Sequence, residues 1–105
     1  MFNKVVLVEG EKITQISDHD GYYITSNGRV YSEKYNRFKK QNTRKDGYVH
    51  VMIGKRKCDY IHRHVAHEFC IKHFSECEVN HIDGNKSNNC SSNLEWVTSK
   101  ENKEH

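Results

Sequence analysis

The chain has 105 residues, 34% hydrophobic and 30% charged, which suits one domain, or two small modules on a shared core, with a modest apolar interior. No apolar run approaches the roughly 18 to 20 residues that span a bilayer, and Val5–Val8 is too short for a secretory apolar stretch, so a soluble cytoplasmic protein is expected, with no membrane partner. The net charge of +3 is unevenly spread: residues 29–63 hold 11 Lys and Arg against 3 Asp and Glu, or +8, while the remainder holds 6 against 11, or −5. Clustered positive charge with tyrosines between the charges is the footprint of a phosphate-backbone partner.

In chain order, Val5–Val8 predicts a first strand, followed by a polar stretch. Tyr22–Thr25 and Arg29–Ser32 flank Ser26-Asn27-Gly28, and Asn-Gly accepts positive φ at little cost, so this segment predicts a β-hairpin. A second hairpin is predicted from the leading turn Lys45-Asp46-Gly47, a strand over Tyr48–Ile53, the turn Gly54-Lys55-Arg56 and a returning strand over Lys57–Ile61. From His62 to Phe74 the apolar period changes to three and four, which predicts a helix of about three turns. Beyond it, Val79-Asn80-His81 and Asn93–Thr98 read as two short strands around the turn-rich segment 82–92. Thr98 then caps a terminal helix in which Glu101 bonds back.

The run Val79-Asn80-His81-Ile82-Asp83-Gly84-Asn85-Lys86-Ser87-Asn88-Asn89, with Asn93-Leu94-Glu95-Trp96-Val97-Thr98 and Glu101-Asn102, resembles the HNH nucleases, the His-Me finger or ββα-metal group, and among them the phage and intron homing endonucleases. His62–Phe69 resembles the helix that precedes that motif. Gly21–Ser32 and Lys45–Val49 resemble a small DNA-contacting module fused ahead of it. The resemblance covers about residues 14–105 and implies an α+β fold: a basic β-rich module over 1–61 and an HNH module over 62–105, sharing a core.

What it implies chemically is a metal-dependent endonuclease acting on double-stranded DNA, as a monomer in the cytoplasm of a phage-infected or bacterial cell. Phosphodiester hydrolysis needs an activated water, a cation against the growing phosphoryl charge, and help for the departing 3′ oxygen. By the resemblance, His81 is the general base, and a neutral imidazole suits that task near physiological pH. Asn93 orients the loop or the His81 ring, and Asn80 and Asn102 offer carboxamide oxygens to one Mg²⁺ or Mn²⁺. Many relatives carry Asp at the position of Asn80, so two neutral ligands imply weak metal binding without the DNA phosphate. Arg29, Arg37, Lys39, Lys40, Arg44, Lys45, Lys55, Arg56 and Arg63 are the expected DNA contacts.

Several other residues have plainer readings. Asp83, before Gly84, is a turn former, Asn85, Asn88 and Asn89 brace the loop, and Trp96 is a core aromatic. His62, His64, His67 and His105 are surface or helix-face residues, with His62-Arg63 a candidate phosphate contact. Cys70, His73, Cys77 and Cys90 have zinc-ligand chemistry, but antiparallel pairing of 79–81 with 93–97 sets Cys77 and Cys90 at opposite ends of the hairpin. A structural zinc on that set is not expected, and the four cysteines, including Cys58, are expected as free thiols.

Overall fold

Short apolar runs separated by Gly, Asn and Asp produce short strands here, and three small antiparallel sheets surround one helix. The computed structural model describes residues 6–17, 19–54, 58–73 and 76–100. Strands β1 (Ile13–Gln15), β2 (Tyr22–Thr25), β3 (Val30–Ser32) and β4 (Arg37–Phe38) form a four-stranded meander. Strands β5 (Asn42–Thr43), β6 (Val49–Met52) and β7 (Cys58–Tyr60) form a second sheet, and helix α1 (Ile61–Phe69) follows directly. The hairpin of β8 (Glu78–His81) and β9 (Leu94–Val97) completes the described fold, with a 3₁₀ turn at Ser91–Asn93 leading into β9. This is the α+β architecture expected from the sequence.

The predicted first hairpin forms, with Tyr22 opposite Ser32 and Ile24 opposite Val30. In its turn Gly28 adopts φ +86°, a left-handed conformation costly for any residue with a Cβ. The first strand is displaced from its predicted place. Residues 6–8 are irregular and exposed, Val5 lies outside the described residues, and β1 forms instead at Ile13–Gln15. Ile16, almost fully buried just past β1, is the apolar anchor of this segment, whereas Val6 is 75% exposed. Strands β4 and β5 are short edge pairings within the polar stretch 37–43, where no apolar alternation announces them.

The helix begins one residue earlier than predicted and stops at Phe69. Cys70 is extended, its N–H closes the last helical bond to Ala66, and its thiol turns to the carbonyls of Ser91 and Leu94. Burial pushes that thiol's pKa up, and a packed thiol of this kind is inert. Phe74 lies outside the described residues.

One cluster joins all the elements that matter. Ile16, Ile24 and Val30 from the first sheet meet Val49, Val51 and Ile53 from the second, Ile61 and Val65 from α1, and Leu94 from β9. Strand period explains the second sheet's share: Val49, Val51 and Ile53 point inward while His50 and Met52 alternate away. Helix α1 sits at the junction. Glu68 accepts hydrogen bonds from the backbone N–H and hydroxyl of Ser17 on one side. On the other, the Trp96 indole donates to the Ala66 carbonyl at 3.1 Å. The β8–β9 hairpin is thus fixed to α1, and α1 to the segment that follows β1.

Candidate active site

The hairpin register decides what can meet. Asn80 lies opposite Glu95 and His81 opposite Leu94, and the ladder continues through Ile82 N–H to the Asn93 carbonyl at 2.8 Å. Cross-strand neighbours share a face, and the Asn80 Nδ2 donates to Glu95 Oε2 at 2.8 Å. That bond orients the amide: with Nδ2 held by the carboxylate, Oδ1 is the atom left for a cation. Sequence reading missed Glu95, although a strand pairing of 80 with 95 would have revealed it.

His81 is buried, and its Nε2 lies 2.7 Å from Asn89 Oδ1. An amide oxygen can only accept, so Nε2 carries the hydrogen and Nδ1 carries the lone pair. The ring sits in an aromatic nest. His62 is 5.1 Å away between centroids and Tyr48 5.9 Å, while Tyr48 stacks on His62 at 4.8 Å and 25°.

His62, expected as a surface or helix-face residue, does stand on α1, but its face is turned inward and not to the surface. It is buried against His81, and its Nδ1 has no hydrogen-bond partner among the described residues. Burial, followed by the neighbouring His81 and Arg63, pushes its pKa down to about 4, so it stays neutral beside His81. His62 stands one residue after Ile61 at the start of α1, and only the packing of that helix against the hairpin turns it inward.

The loop between β8 and β9 is braced from within. Asp83 Oδ1 accepts from the Asn85 N–H at 2.7 Å and from Asn93 Nδ2 at 2.9 Å, and its Oδ2 accepts from Asn88 Nδ2. These bonds, that of Asn88 first, hold the Asp83 carboxyl below its ordinary pKa. Asn93 is buried. It takes the Asp83 N–H on its Oδ1 and donates to the Asn88 carbonyl. Of the two tasks expected of it, Asn93 performs the bracing of the loop, while Asn89 holds the His81 ring.

A cleft of about 470 Å³ opens over this arrangement, lined by Tyr48, Val79, Asn80, His81, Ile82, Asp83, Gly84 and Lys86. Lys86 is a further residue that sequence reading missed. Its ammonium donates to the Asp46 carbonyl at 2.8 Å and lies 4.7 Å from the Tyr48 ring centre, which places a cation at the mouth of the cleft. The donor set here fits a hard dication. Asn80 offers its carboxamide oxygen while Glu95 holds its amide nitrogen, and the Glu95 carboxylate adds negative charge beside it. Asn102, the second expected ligand, lies outside the described residues.

Among the expected DNA contacts, Arg37, Lys40, Arg44, Lys45 and Arg63 are exposed and Lys39 is half-buried. Lys55 and Arg56 lie outside the described residues. Arg29 is engaged within the fold: its guanidinium pairs with Glu11 at 2.7 and 3.0 Å, donates to the Val6 carbonyl, and lies 4.0 Å from the Phe38 ring centre. Burial works against ionisation of Glu11, but the Arg29 hydrogen bond leads the groups that outweigh it, and its pKa falls to about 2. Cys70 and Cys77 do not converge with His73 into a metal site among the described residues. The described group that does converge is His19, Asp59 and His64.

A buried histidine on a two-stranded hairpin, a carboxamide beside it and the start of a helix after the second strand are the arrangement of an HNH motif. Residues 59–104 match the family model for HNH endonucleases, and this segment belongs to that family. It is 44% identical over 94 residues to DNA endonuclease I-HmuI of Bacillus phage SP01, covering 86% of this chain and 54% of that protein. It is 41% identical over 90 residues to the SPbeta prophage-derived putative HNH homing endonuclease YosQ of Bacillus subtilis, covering 80% and 51%. A solved structure of DNA binding and cleavage by the HNH homing endonuclease I-HmuI aligns with a TM-score of 0.82 at 38% identity, over 89% of this chain and 56% of that one. The chain spans about half the length of these relatives.

Proposed function

We propose that the protein is a metal-dependent DNA endonuclease of the HNH homing type, which hydrolyses phosphodiester bonds in double-stranded DNA with His81 as general base. The observation that carries this reading is the Asn89–His81 hydrogen bond. It commits Nε2 to donation and leaves Nδ1, on a ring lining the cleft, as the atom that takes a proton from water. The 44% identity to a DNA endonuclease supports the same reaction class.

In this reading Asn80, with its amide turned by Glu95, and Asn102 hold one Mg²⁺ or Mn²⁺. When bound, that ion supplies Lewis-acid stabilisation of the phosphoryl oxygens. Asn93 keeps the loop closed around the base, and neutral His62 and Tyr48 exclude water from the inner face of the ring. Arg37, Lys39, Lys40, Arg44, Lys45, Lys55, Arg56 and Arg63 track the phosphates. The protein acts as a monomer in the cytoplasm of an infected or lysogenic bacterial cell, a setting that its phage and prophage relatives support.

The test is incubation with supercoiled plasmid and Mg²⁺ or Mn²⁺, with and without chelator. Metal-dependent open circles or linear DNA are expected. His81→Ala should retain folding and DNA binding while its rate falls by about 10² to 10⁴, the usual worth of a positioned base, and no metal concentration should restore it. Asn102→Ala should regain activity at higher Mn²⁺. Wild-type cleavage by His81→Ala would remove His81 from the chemistry.

A further inference from the structure

Away from the cleft, three side chains from separate elements turn toward one point. His19 lies in the turn between β1 and β2, Asp59 in β7 and His64 in α1. Asp59 Oδ2 lies 3.0 Å from His19 Nε2 and 2.9 Å from His64 Nε2, and all three ligand atoms fall within 4.8 Å of one another. Each side chain is about a fifth exposed. The backbone holds each of them. The His19 N–H bonds to the Ile16 carbonyl and its carbonyl accepts from Tyr22, Asp59 is paired opposite Val51, and His64 stands mid-helix.

We propose that His19, Asp59 and His64 form a binding site for a zinc-class dication, separate from the catalytic cleft, that pins the β1–β2 turn to β7 and α1. Two imidazoles and one carboxylate are borderline donors suited to Zn²⁺, and partial exposure leaves room for water as a fourth ligand. The size is right. Bonds of about 2.0 to 2.1 Å in a tetrahedron set neighbouring ligands about 3.3 Å apart, so the two Asp59 contacts open by a few tenths of an ångström while the two Nε2 atoms, within 4.8 Å of each other, settle to the same spacing. Both imidazoles bind through Nε2 once their hydrogens move to Nδ1, and no cysteine is needed.

The site would also matter to the nuclease. α1 carries His62, which packs on His81, and it receives the Trp96 indole from β9. A cation that locks α1 to the first sheet therefore stiffens the support beneath the base.

The experiment uses the full chain, stripped with chelator and titrated with Zn²⁺ and with Co²⁺. One equivalent of Co²⁺ should bind with visible d–d bands and without the intense sulfur charge-transfer absorption of thiolate ligation. Zn²⁺ should raise the melting temperature. Both effects should persist in His81→Ala. In His19→Ala and His64→Ala the affinity should fall at least tenfold and the melting shift should vanish. His19 is on a turn outside the core, so its variant folds even if the helix variant is damaged, as circular dichroism will show. Retention of full affinity in His19→Ala, absence of binding by the wild type, or a thiolate spectrum would each overturn the proposal.

Discussion

Gly28→Ala tests how the first hairpin supports His81. A Cβ at Gly28 would lie 3.0 Å from Asn89 Cβ and 3.1 Å from the Asn89 carbonyl oxygen, on a backbone with φ +86°. Asn89 is the residue that holds His81, and its segment is tied to the same turn by the Ser91 N–H to Ser26 carbonyl bond at 2.7 Å. The left-handed conformation costs roughly 1 to 2 kcal/mol for alanine, and overpacking against buried Asn89 adds roughly 1 to 3 kcal/mol. The total, about 2 to 5 kcal/mol, is a large share of the roughly 5 to 15 kcal/mol that stabilises a domain. Gly10→Ala is the control, because Gly10 has φ +82° and nothing within 4 Å of its added Cβ. Urea unfolding of the two variants should therefore differ by about 1 to 3 kcal/mol, the close-approach contribution alone. Cleavage per folded molecule should fall about 10- to 100-fold in Gly28→Ala only, since a small displacement of a catalytic group has that effect. Equal stability losses with equal, wild-type cleavage would refute the link from Gly28 through Asn89 to His81.

Glu11→Gln should cost about 2 to 3 kcal/mol at neutral pH, below the 3 to 5 of a fully buried pair because the Arg29 side chain is 35% exposed. The folded Glu11 pKa of about 2 lies below its ordinary 4.5, so its contribution is complete above pH 4.5 and is lost as pH falls toward 2. The stability gap between wild type and Glu11→Gln, followed by denaturant titration at each pH, should close over that window; a gap that does not change with pH would exclude the assignment. For DNA binding, replacing the exposed Arg37, Lys40, Arg44 and Lys45 by Ala should flatten the dependence of log affinity on log salt by about 0.9 for each phosphate no longer neutralised. An unchanged slope in fluorescence-anisotropy titrations would move the interface elsewhere, whereas a flattened slope at unchanged melting temperature would mean that these cations serve DNA and not the fold.

Much of the hairpin site is written locally. Asn27-Gly28 sets a turn through its tolerance of positive φ, and the alternation in Val49–Ile53 sets a half-buried strand. Asn80-His81, the Asp83-Gly84 turn and Leu94–Val97 announce a hairpin, because each depends only on neighbours in the chain. The helix end was not legible, since Cys70 leaves the helix to pack on Ser91 and Leu94, over 20 positions away. Nor was the fate of Arg29, whose charge is neutralised by Glu11 across the first sheet. His62 reads as a surface histidine until α1 docks on β8 and β9 and buries it against Tyr48 and His81. Asn89 and Glu95 acquire their tasks in the same way, through a loop fold and a strand register that bring an oxygen within 3 Å of a ring nitrogen or an amide. The sequence alone determined which residue types could do the chemistry; the packing of α1 between the sheets and the hairpin decided which of their atoms are held and that His62 stays neutral, because desolvation and hydrogen-bond direction exist only once distant segments are in contact.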